Sequence, residues 1–330
     1  MHKERIIVTG GAGFIGSNFL DYMAKQYPNY SFVNIDKLTY SGNLNNLKGL
    51  EGVQNYQFIK ADICDSEEIS KILKEGDILV NFAAESHVDN SLIDPYIFIK
   101  TNIAGTQNLL DVSRKNKVKK FIQISTDEVY GSLSFDAPSS KESHILKPSS
   151  PYSASKAAAE MLCLAAIHTH NQNIIITRSS NNFGPYQFPE KVIPLFVTNL
   201  LIGKKVPLYG SGNNVRDWLF VLDNCEAIDL LIHKGNSGEI YNIGGGNEVK
   251  NIDLTNNLLA KMDKDSASIE YVEDRKGHDL RYSLDCQRIK SLGWEPRHDF
   301  DRALEKTINW YKENVWWWEP LKNTKGKRTS

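Results

Sequence analysis

Asp127 and Glu128 stand side by side where a buried strand, Phe121-Ile122-Gln123-Ile124-Ser125-Thr126, should be ending. Adjacent carboxylates repel each other and resist desolvation, so a chain selected only to fold has little use for them there. Downstream comes Tyr152-Ser153-Ala154-Ser155-Lys156. A Tyr and a Lys four positions apart share one face of a helix. Tyrosine, with an ordinary pKa of about 10, is a poor base at neutrality, and a nearby ammonium favours its phenolate. Lowering that pKa by ~3 units takes roughly 4 kcal/mol of differential interaction. A phenolate of this kind can take the proton of an alcohol as hydride leaves its carbon. The two carboxyls can then move protons on the neighbouring carbons.

Such groups need a rigid frame, and the first half of the chain supplies one. Short β-branched runs (Arg5–Thr9, Ser31–Asp36, Tyr56–Asp62, Ile78–Phe82, Phe121–Ser125, Asn173–Arg178) alternate with helical patterns, among them Phe14–Gln26, Tyr96–Asn116 and Ser153–Asn171. That alternation predicts an α/β fold with a doubly wound parallel (Rossmann-type) sheet and a ligand at the carboxyl ends of its strands. After Arg178 the texture turns to Asn, Pro, Gly and short pieces, which predicts a smaller, partly interleaved substrate-binding domain. The expected boundaries are 1–178 for the dinucleotide domain, with 215–237 packing back on it, then 179–214 and 238–321 for the second domain. The stretch 322–330 is expected to be a basic, disordered tail.

Between the first strand and first helix lies Thr9-Gly10-Gly11-Ala12-Gly13-Phe14-Ile15-Gly16. Glycines there permit a tight turn and let backbone N–H groups approach a pyrophosphate at the helix N-terminus. Asp36, at the end of the second strand, should accept from an adenosine ribose and repel a 2′-phosphate, which selects NAD over NADP. Lys37 beside it is a cation that softens this choice, and Leu38 and Thr39 complete the turn. Asp62 and Ile63 are expected at the adenine. Ala83, Ala84, Glu85 and Ser86 should line the nicotinamide side, with Thr101 and Asn102 close by.

Composition excludes several classes. The 330 residues carry a formal net charge of -1, with 41% hydrophobic and 24% charged residues, so there is no global attraction to nucleic acid or to a membrane surface. Cys64, Cys163, Cys225 and Cys286 are scattered and form no CxxC, which suggests reduced thiols in a cytoplasmic protein and no metal site. His168 and His170, two apart on a helix, face different ways. No apolar run approaches the roughly 20 residues of a membrane span, and the first strand begins too early for a signal peptide. Trp316-Trp317-Trp318 is read as aromatic packing of the last helix.

Together, TGGAGFIG, STDEVYG and YSASK resemble the extended short-chain dehydrogenase/reductase family. Ser180-Asn181-Asn182-Phe183-Gly184-Pro185 with Phe188-Pro189-Glu190-Lys191, Arg216-Asp217-Trp218 and Asp274–Tyr282 narrow the resemblance to its nucleotide-sugar 4,6-dehydratases acting on dTDP-glucose. It covers Arg5 to about Tyr311, departing at Phe220, Leu222, Asn224 and Lys276. The resemblance implies oxidation at sugar carbon 4, elimination of water across carbons 5 and 6, and return of hydride to carbon 6. Tyr152, Lys156 and Thr126 would serve the oxidation. By resemblance alone, Glu128 takes the carbon-5 proton and Asp127 protonates the leaving hydroxyl. Gly10, Gly13, Phe14, Ile15, Gly16 and Asn182 join the NAD site, and no metal is implied. His87, Thr126, Asn181, Lys191, Val192, Arg216, Asn251, His278, Asp279, Arg281 and Tyr282 would bind the sugar diphosphate, with Arg275 a further candidate. Pro207, Leu208 and Tyr209 would lie along the base. The resemblance also implies a homodimer in which Tyr96–Asn116 and Ser153–Asn171 pair with their copies as a four-helix bundle, using Ile99, Ile103, Leu109, Leu110, Ala158, Met161, Leu162 and Ala165. The expected pathway is rhamnose synthesis. A CDP-glucose dehydratase or a UDP-sugar 4-epimerase would share this frame, but an epimerase has no use for Asp127 and Glu128.

Overall fold

The structure, a computed structural model, describes residues 3–274 and 277–323. Arg275, Lys276 and residues 324–330 lie outside the described residues. Twelve strands are formed among the described residues: β1 (Arg5–Thr9), β2 (Ser31–Asp36), β3 (Tyr56–Lys60), β4 (Ile78–Asn81), β5 (Lys120–Thr126), β6 (Ile174–Ser179), β7 (Asn181–Phe183), β8 (Val206–Tyr209), β9 (Val215–Phe220), β10 (Ile240–Ile243), β11 (Glu248–Lys250) and β12 (Ile269–Val272).

The central sheet has the order β10-β6-β5-β4-β1-β2-β3, and every pairing in it is parallel. Ile6, Ile7, Val8, Leu79, Val80, Ile174 and Ile175 are all buried, as a sheet covered on both faces requires. One face packs under helices Phe14–Gln26 and Val221–Lys234, which share a core through Phe19, Leu20, Met23, Ile228 and Leu231. The other is covered by helices that include Thr106–Lys115 and Pro151–His170, through Leu109, Leu110, Cys163 and Ala166. Strand order reverses between β1 and β4, and that crevice is where an open α/β sheet holds its ligand.

The chain then leaves the sheet. β9 pairs with β7 and β11, and β8 pairs with β12. These strands pack on helices Val192–Leu201, Asn251–Lys261 and Phe300–Glu313 around a second core containing Phe183, Phe196, Trp218, Trp317 and Trp318. Ile240–Ile243, expected in the second domain, instead forms the edge strand β10 beside β6. Its Tyr241 and Ile243 are buried and belong to the first core. Lys322, expected in a disordered tail, is helical (Val315–Asn323), and its Nζ donates to Thr198 Oγ1 at 2.8 Å and to Asn199 Oδ1 at 2.5 Å.

The helix expected over Tyr96–Asn116 runs without interruption from Pro95 to Lys115, as Pro95–Phe98, a π-helical stretch Ile99–Gly105 and Thr106–Lys115. Leu109 and Leu110, expected on an interface, face the protein's own core. Helix Pro151–His170 begins with a capping box between Ser150 and Ser153, has Pro151 in its first turn, and stops at Asn171 with φ 51°. No helix among the described residues is long and apolar enough to cross a membrane.

Candidate active site

Two cavities, of about 220 and 240 Å³, open at the carboxyl ends of the central strands and share Glu190 and Lys191. The first runs along the β1–β4 crevice. Gly10, Gly13, Phe14, Ile15, Gly16, Asp36, Lys37, Thr39, Asp62, Ile63, Ala83, Ala84, Glu85, Ser86, Thr101, Tyr152 and Lys156 all line it. Leu38 and Asn182 do not. Leu38, at φ 59°, donates its N–H to Asp36 Oδ1 at 2.7 Å, and Asn182 Nδ2 donates to Ser180 O at 3.0 Å.

The glycine turn fits a dinucleotide. A Cβ on Gly10 would meet Ala83 N at 2.6 Å, and one on Gly16 would meet Gly10 O at 2.5 Å, so both glycines permit close backbone packing. A Cβ on Gly13 would have one close neighbour, Gly10 O at 3.2 Å, and would otherwise project into open space on the cavity wall. Helix Phe14–Gln26 starts with no side-chain cap and no acidic residue in its first turn, leaving N–H groups and a positive helix end for an anion. Asp36 is buried, which raises its pKa, while the N–H groups of Leu38 and Ala12 oppose that shift. Lys37 pairs with Asp62 at 2.7 Å. Burial alone would raise the Asp62 carboxyl, but Lys37 and the Cys64 N–H outweigh it and hold the group below the ordinary range.

The second cavity is lined by Glu128, His87, Asn181, Lys191, Val192, Pro207, Leu208, Tyr209, Arg216, Asn251, His278, Asp279 and Tyr282. Arg281, expected beside a phosphate, is not on its wall. Its guanidinium is paired with Glu248 (Nε to Oε2, 2.6 Å) and donates to Ala137 O at 2.8 Å. Arg216 is differently held. It is buried, its hydrogen bonds go to the carbonyls of Val215 (2.8 Å) and Asp279 (3.0 Å), and its guanidinium carbon lies 4.3 Å from the centre of the Tyr282 ring. Tyr282 in turn donates to Asp279 Oδ2 at 2.5 Å. Among the described residues no carboxylate neutralises Arg216 at contact distance, so its charge is available to an anion. His87 has two roles: Nδ1 accepts from Asn90 N at 3.3 Å and caps helix Val88–Ile93, while Nε2 lies 3.7 Å from Glu190 Oε2.

Of the reacting groups, Tyr152 and Lys156 line the first cavity and Glu128 the second, while Thr126 and Asp127 line neither. β5 ends at Thr126, whose Oγ1 accepts the Glu128 N–H at 3.3 Å and donates to Asp127 Oδ1 at 3.2 Å. Asp127 is buried, and its Oδ2 has no hydrogen-bond partner among the described residues. Burial first, then the charges of Glu128 and Asp217, push its carboxyl well above the ordinary carboxylate range. These surroundings favour the protonated form of Asp127. Tyr152 is buried too, and burial, Glu128 and Asp127 raise its phenol, with the Thr126 hydroxyl acting the other way. Burial lowers the Lys156 ammonium to about 8, and its Nζ donates to Ile124 O at 2.5 Å. Lys156 is not among the groups that shift Tyr152, so the lowering expected from it is not supplied by the protein alone.

Asn102, in the π-helical turn, fixes the local frame. Its side chain accepts from Glu85 N at 2.9 Å and donates to Glu85 O at 3.0 Å and Ser155 Oγ at 2.8 Å, joining the loop after β4 to the helix of Tyr152. Tyr40 and Glu190, given no role by sequence reasoning, also line the first cavity. Glu190 had one signal, its place in the Phe188–Lys191 run.

Residues 7–307 match the family model described as GDP-mannose 4,6 dehydratase. The chain is similar to a dTDP-glucose 4,6-dehydratase of Streptomyces antibioticus, 47% identical over 96% of this chain and 95% of that one. Among solved structures it resembles a dTDP-glucose 4,6-dehydratase of Streptomyces venezuelae with NAD and TYD bound (TM-score 0.93, 47% identity, 96% and 99% of the two chains). It also resembles a UDP-glucose 4-epimerase of Thermotoga maritima with UDP-glucose (TM-score 0.87, 32% identity, 94% and 99%).

Proposed function

Because the chain belongs to the GDP-mannose 4,6 dehydratase family, we propose that it converts dTDP-glucose to dTDP-4-keto-6-deoxyglucose and water, with NAD as its cofactor. The carrying observation is Asp127, buried beside a Glu128 that lines the sugar-side cavity, so that burial and the neighbouring charge favour its protonated form. Two carboxyls whose environments drive their protonation apart form an acid and base pair, and that is the need of an elimination. An epimerase on the same frame would have no work for the acid.

NAD, when bound, supplies a temporary acceptor for the carbon-4 hydride and a positive ring that favours a phenolate. Gly10, Gly13, Gly16, Asp36, Asp62 and the Ala83–Ser86 loop would hold it. Tyr152, with Thr126 at its side, takes the proton of the 4-hydroxyl. The new ketone acidifies carbon 5, where Glu128 acts as base. Asp127 gives its proton to the departing 6-hydroxyl, and water leaves. The hydride taken from carbon 4 would then return to carbon 6 as Glu128 gives the proton back to carbon 5, which leaves the cofactor oxidised as at the start. Arg216 and Lys191 counter the diphosphate, and Pro207, Leu208 and Tyr209 border the base.

A homodimer fits the surface. Ile93 (83% exposed), Tyr96 (72%), Ile99 (49%) and Met161 (47%) are uncovered on neighbouring helices, a cluster of apolar side chains of the kind that marks an interface. The four free cysteines suit a reducing cytoplasm, and assembly of dTDP-rhamnose is the use that fits the product.

The test is a panel of dTDP-, CDP- and UDP-glucose offered to the NAD-loaded protein. The alkaline chromophore of a 4-keto-6-deoxy sugar should form with dTDP-glucose. Formation with CDP-glucose alone would overturn the base assignment. Interconversion of sugars without the chromophore would overturn the dehydratase itself.

A further inference from the structure

The aromatic C-terminal helix Val315–Asn323 takes no part in the chemistry above, yet it reaches the cofactor cavity at two points. Trp317 Nε1 donates to Asn46 Oδ1 at 2.7 Å, and Asn46 Nδ2 donates to Ala12 O at 2.8 Å, which also accepts from Asn43 N at 3.0 Å. Ala12 N donates to Asp36 Oδ2 at 2.9 Å. Every member of this relay is buried: Trp317 is 2% exposed, Asn46 5%, Ala12 0% and Asp36 8%. The second point is Tyr186, on the wall of the same cavity, whose ring packs edge-on against Trp317 (5.8 Å) and against Trp310 (4.8 Å) of the preceding helix Phe300–Glu313, from which Tyr311 Oη also donates to Gln187 O at 2.5 Å. Tyr186 sits at φ 66°, a left-handed backbone that a residue with a side chain keeps only where its surroundings enforce it.

We infer that Trp317 is a positioning residue for the dinucleotide loop, and that the C-terminal helix thereby sets how firmly the cofactor is held. This rests on the reading of the first cavity as an NAD site. The Ala12–Gly13 peptide is fixed at both ends, its carbonyl by Asn46 and Asn43 and its N–H by Gly10 O at 3.1 Å. Because a peptide is planar, holding that carbonyl orients the whole turn. Without the tryptophan N–H, the buried Asn46 oxygen has lost its donor, and burying an unpaired acceptor is costly. The asparagine then gains by turning away, which releases the Ala12 carbonyl and, next to it, the N–H that holds Asp36. A loop ordered before binding spends less of its interaction energy on being ordered.

The experiment measures NAD dissociation by equilibrium dialysis, without turnover, for wild type, Trp317→Phe, Asn46→Ala, the double variant and Trp318→Phe. Trp318 is the matched control: it is equally buried on the same helix, and its Nε1 donates to Tyr311 O at 2.8 Å, off the path to Ala12. Trp317→Phe should weaken NAD about tenfold, which is ~1.4 kcal/mol. Asn46→Ala should do the same, and the double variant should be no worse than either single one. Trp318→Phe should lower the melting temperature and leave NAD dissociation unchanged. At saturating NAD, kcat of Trp317→Phe should match wild type. Equal weakening by Trp317→Phe and Trp318→Phe, or additive effects of Trp317→Phe and Asn46→Ala, would reduce the relay to packing. Wild type that binds no NAD would sink the reading of the cavity instead.

Discussion

Replacing Asp127 by asparagine should divide the reaction at its middle. The carboxyl is buried, its Oδ1 accepts from Thr126 and its Oδ2 has no partner among the described residues. An amide of the same shape can keep the Thr126 contact with its oxygen. Its surroundings favour the protonated form, so the change removes a transferable proton without removing a charge. The field at Tyr152 is then nearly preserved, and oxidation at carbon 4 should stay within about threefold of wild type. Elimination loses its general acid, a contribution of ~10²–10⁴ in rate, or roughly 3–5 kcal/mol of barrier. Rapid mixing of NAD-loaded Asp127→Asn with dTDP-glucose should therefore show reduced nicotinamide accumulating, while the alkaline chromophore appears slowly. Full-rate chromophore formation would remove the acid role, and loss of nicotinamide reduction would show that Asp127 is ionised and serves Tyr152. Stability gives an independent check. A carboxyl whose pKa is raised on folding contributes stability that is fully present below its unfolded value and is lost as pH rises through the folded one. Asparagine has no such loss, so the melting temperature of the variant should gain on wild type as the pH is raised above about 4. A constant difference across that range would contradict the neutral acid.

Two other expectations follow from the surroundings of single side chains. Arg216→Lys keeps the charge but gives up the paired carbonyl bonds and the Tyr282 stack. It should raise KM for dTDP-glucose about 10-fold to 100-fold with a smaller change in kcat, and an unchanged KM would remove Arg216 from the diphosphate site. Ile99→Lys places a charge on the exposed apolar face and should yield a monomer in sedimentation velocity, whereas an intact dimer would move the interface elsewhere.

The frame around these residues was legible because its signals are local. β-branched runs, a glycine turn and Asp36 each declare themselves within a few residues, and the structure joins them in one crevice. The pair Asp127–Glu128 was visible as an electrostatic cost, but which carboxyl stays protonated depends on depth, and depth is a tertiary property. Arg281 and Arg216 look alike in sequence, yet one is neutralised by Glu248 and the other stands on carbonyls. The π-helical turn at Ile99–Gly105 was invisible because the apolar period on either side of it is helical. Leu109 and Leu110 could not be assigned to core or interface, since both offer the same hydrophobic face. Lys322 was placed in the tail by its basic neighbours, while its partners lie far back in the chain at Thr198 and Asn199.

The return of the chain to supply β10 makes the two lobes inseparable. Between Ser179 and Ile240 the polypeptide builds part of the second lobe and then lays its last sheet strand against β6. A fragment ending at Ser179 would present Ile174–Ser179 as an open edge and would also lack the Val221–Lys234 helix that covers Phe19 and Leu20. Such an edge invites pairing with other chains and aggregation. The nucleotide-binding half is therefore no portable cassette that gene fusion could move whole to another substrate lobe. New specificity on this frame has to arise by replacing side chains on β8, β9 and the loops around them, with the catalytic strand left in place.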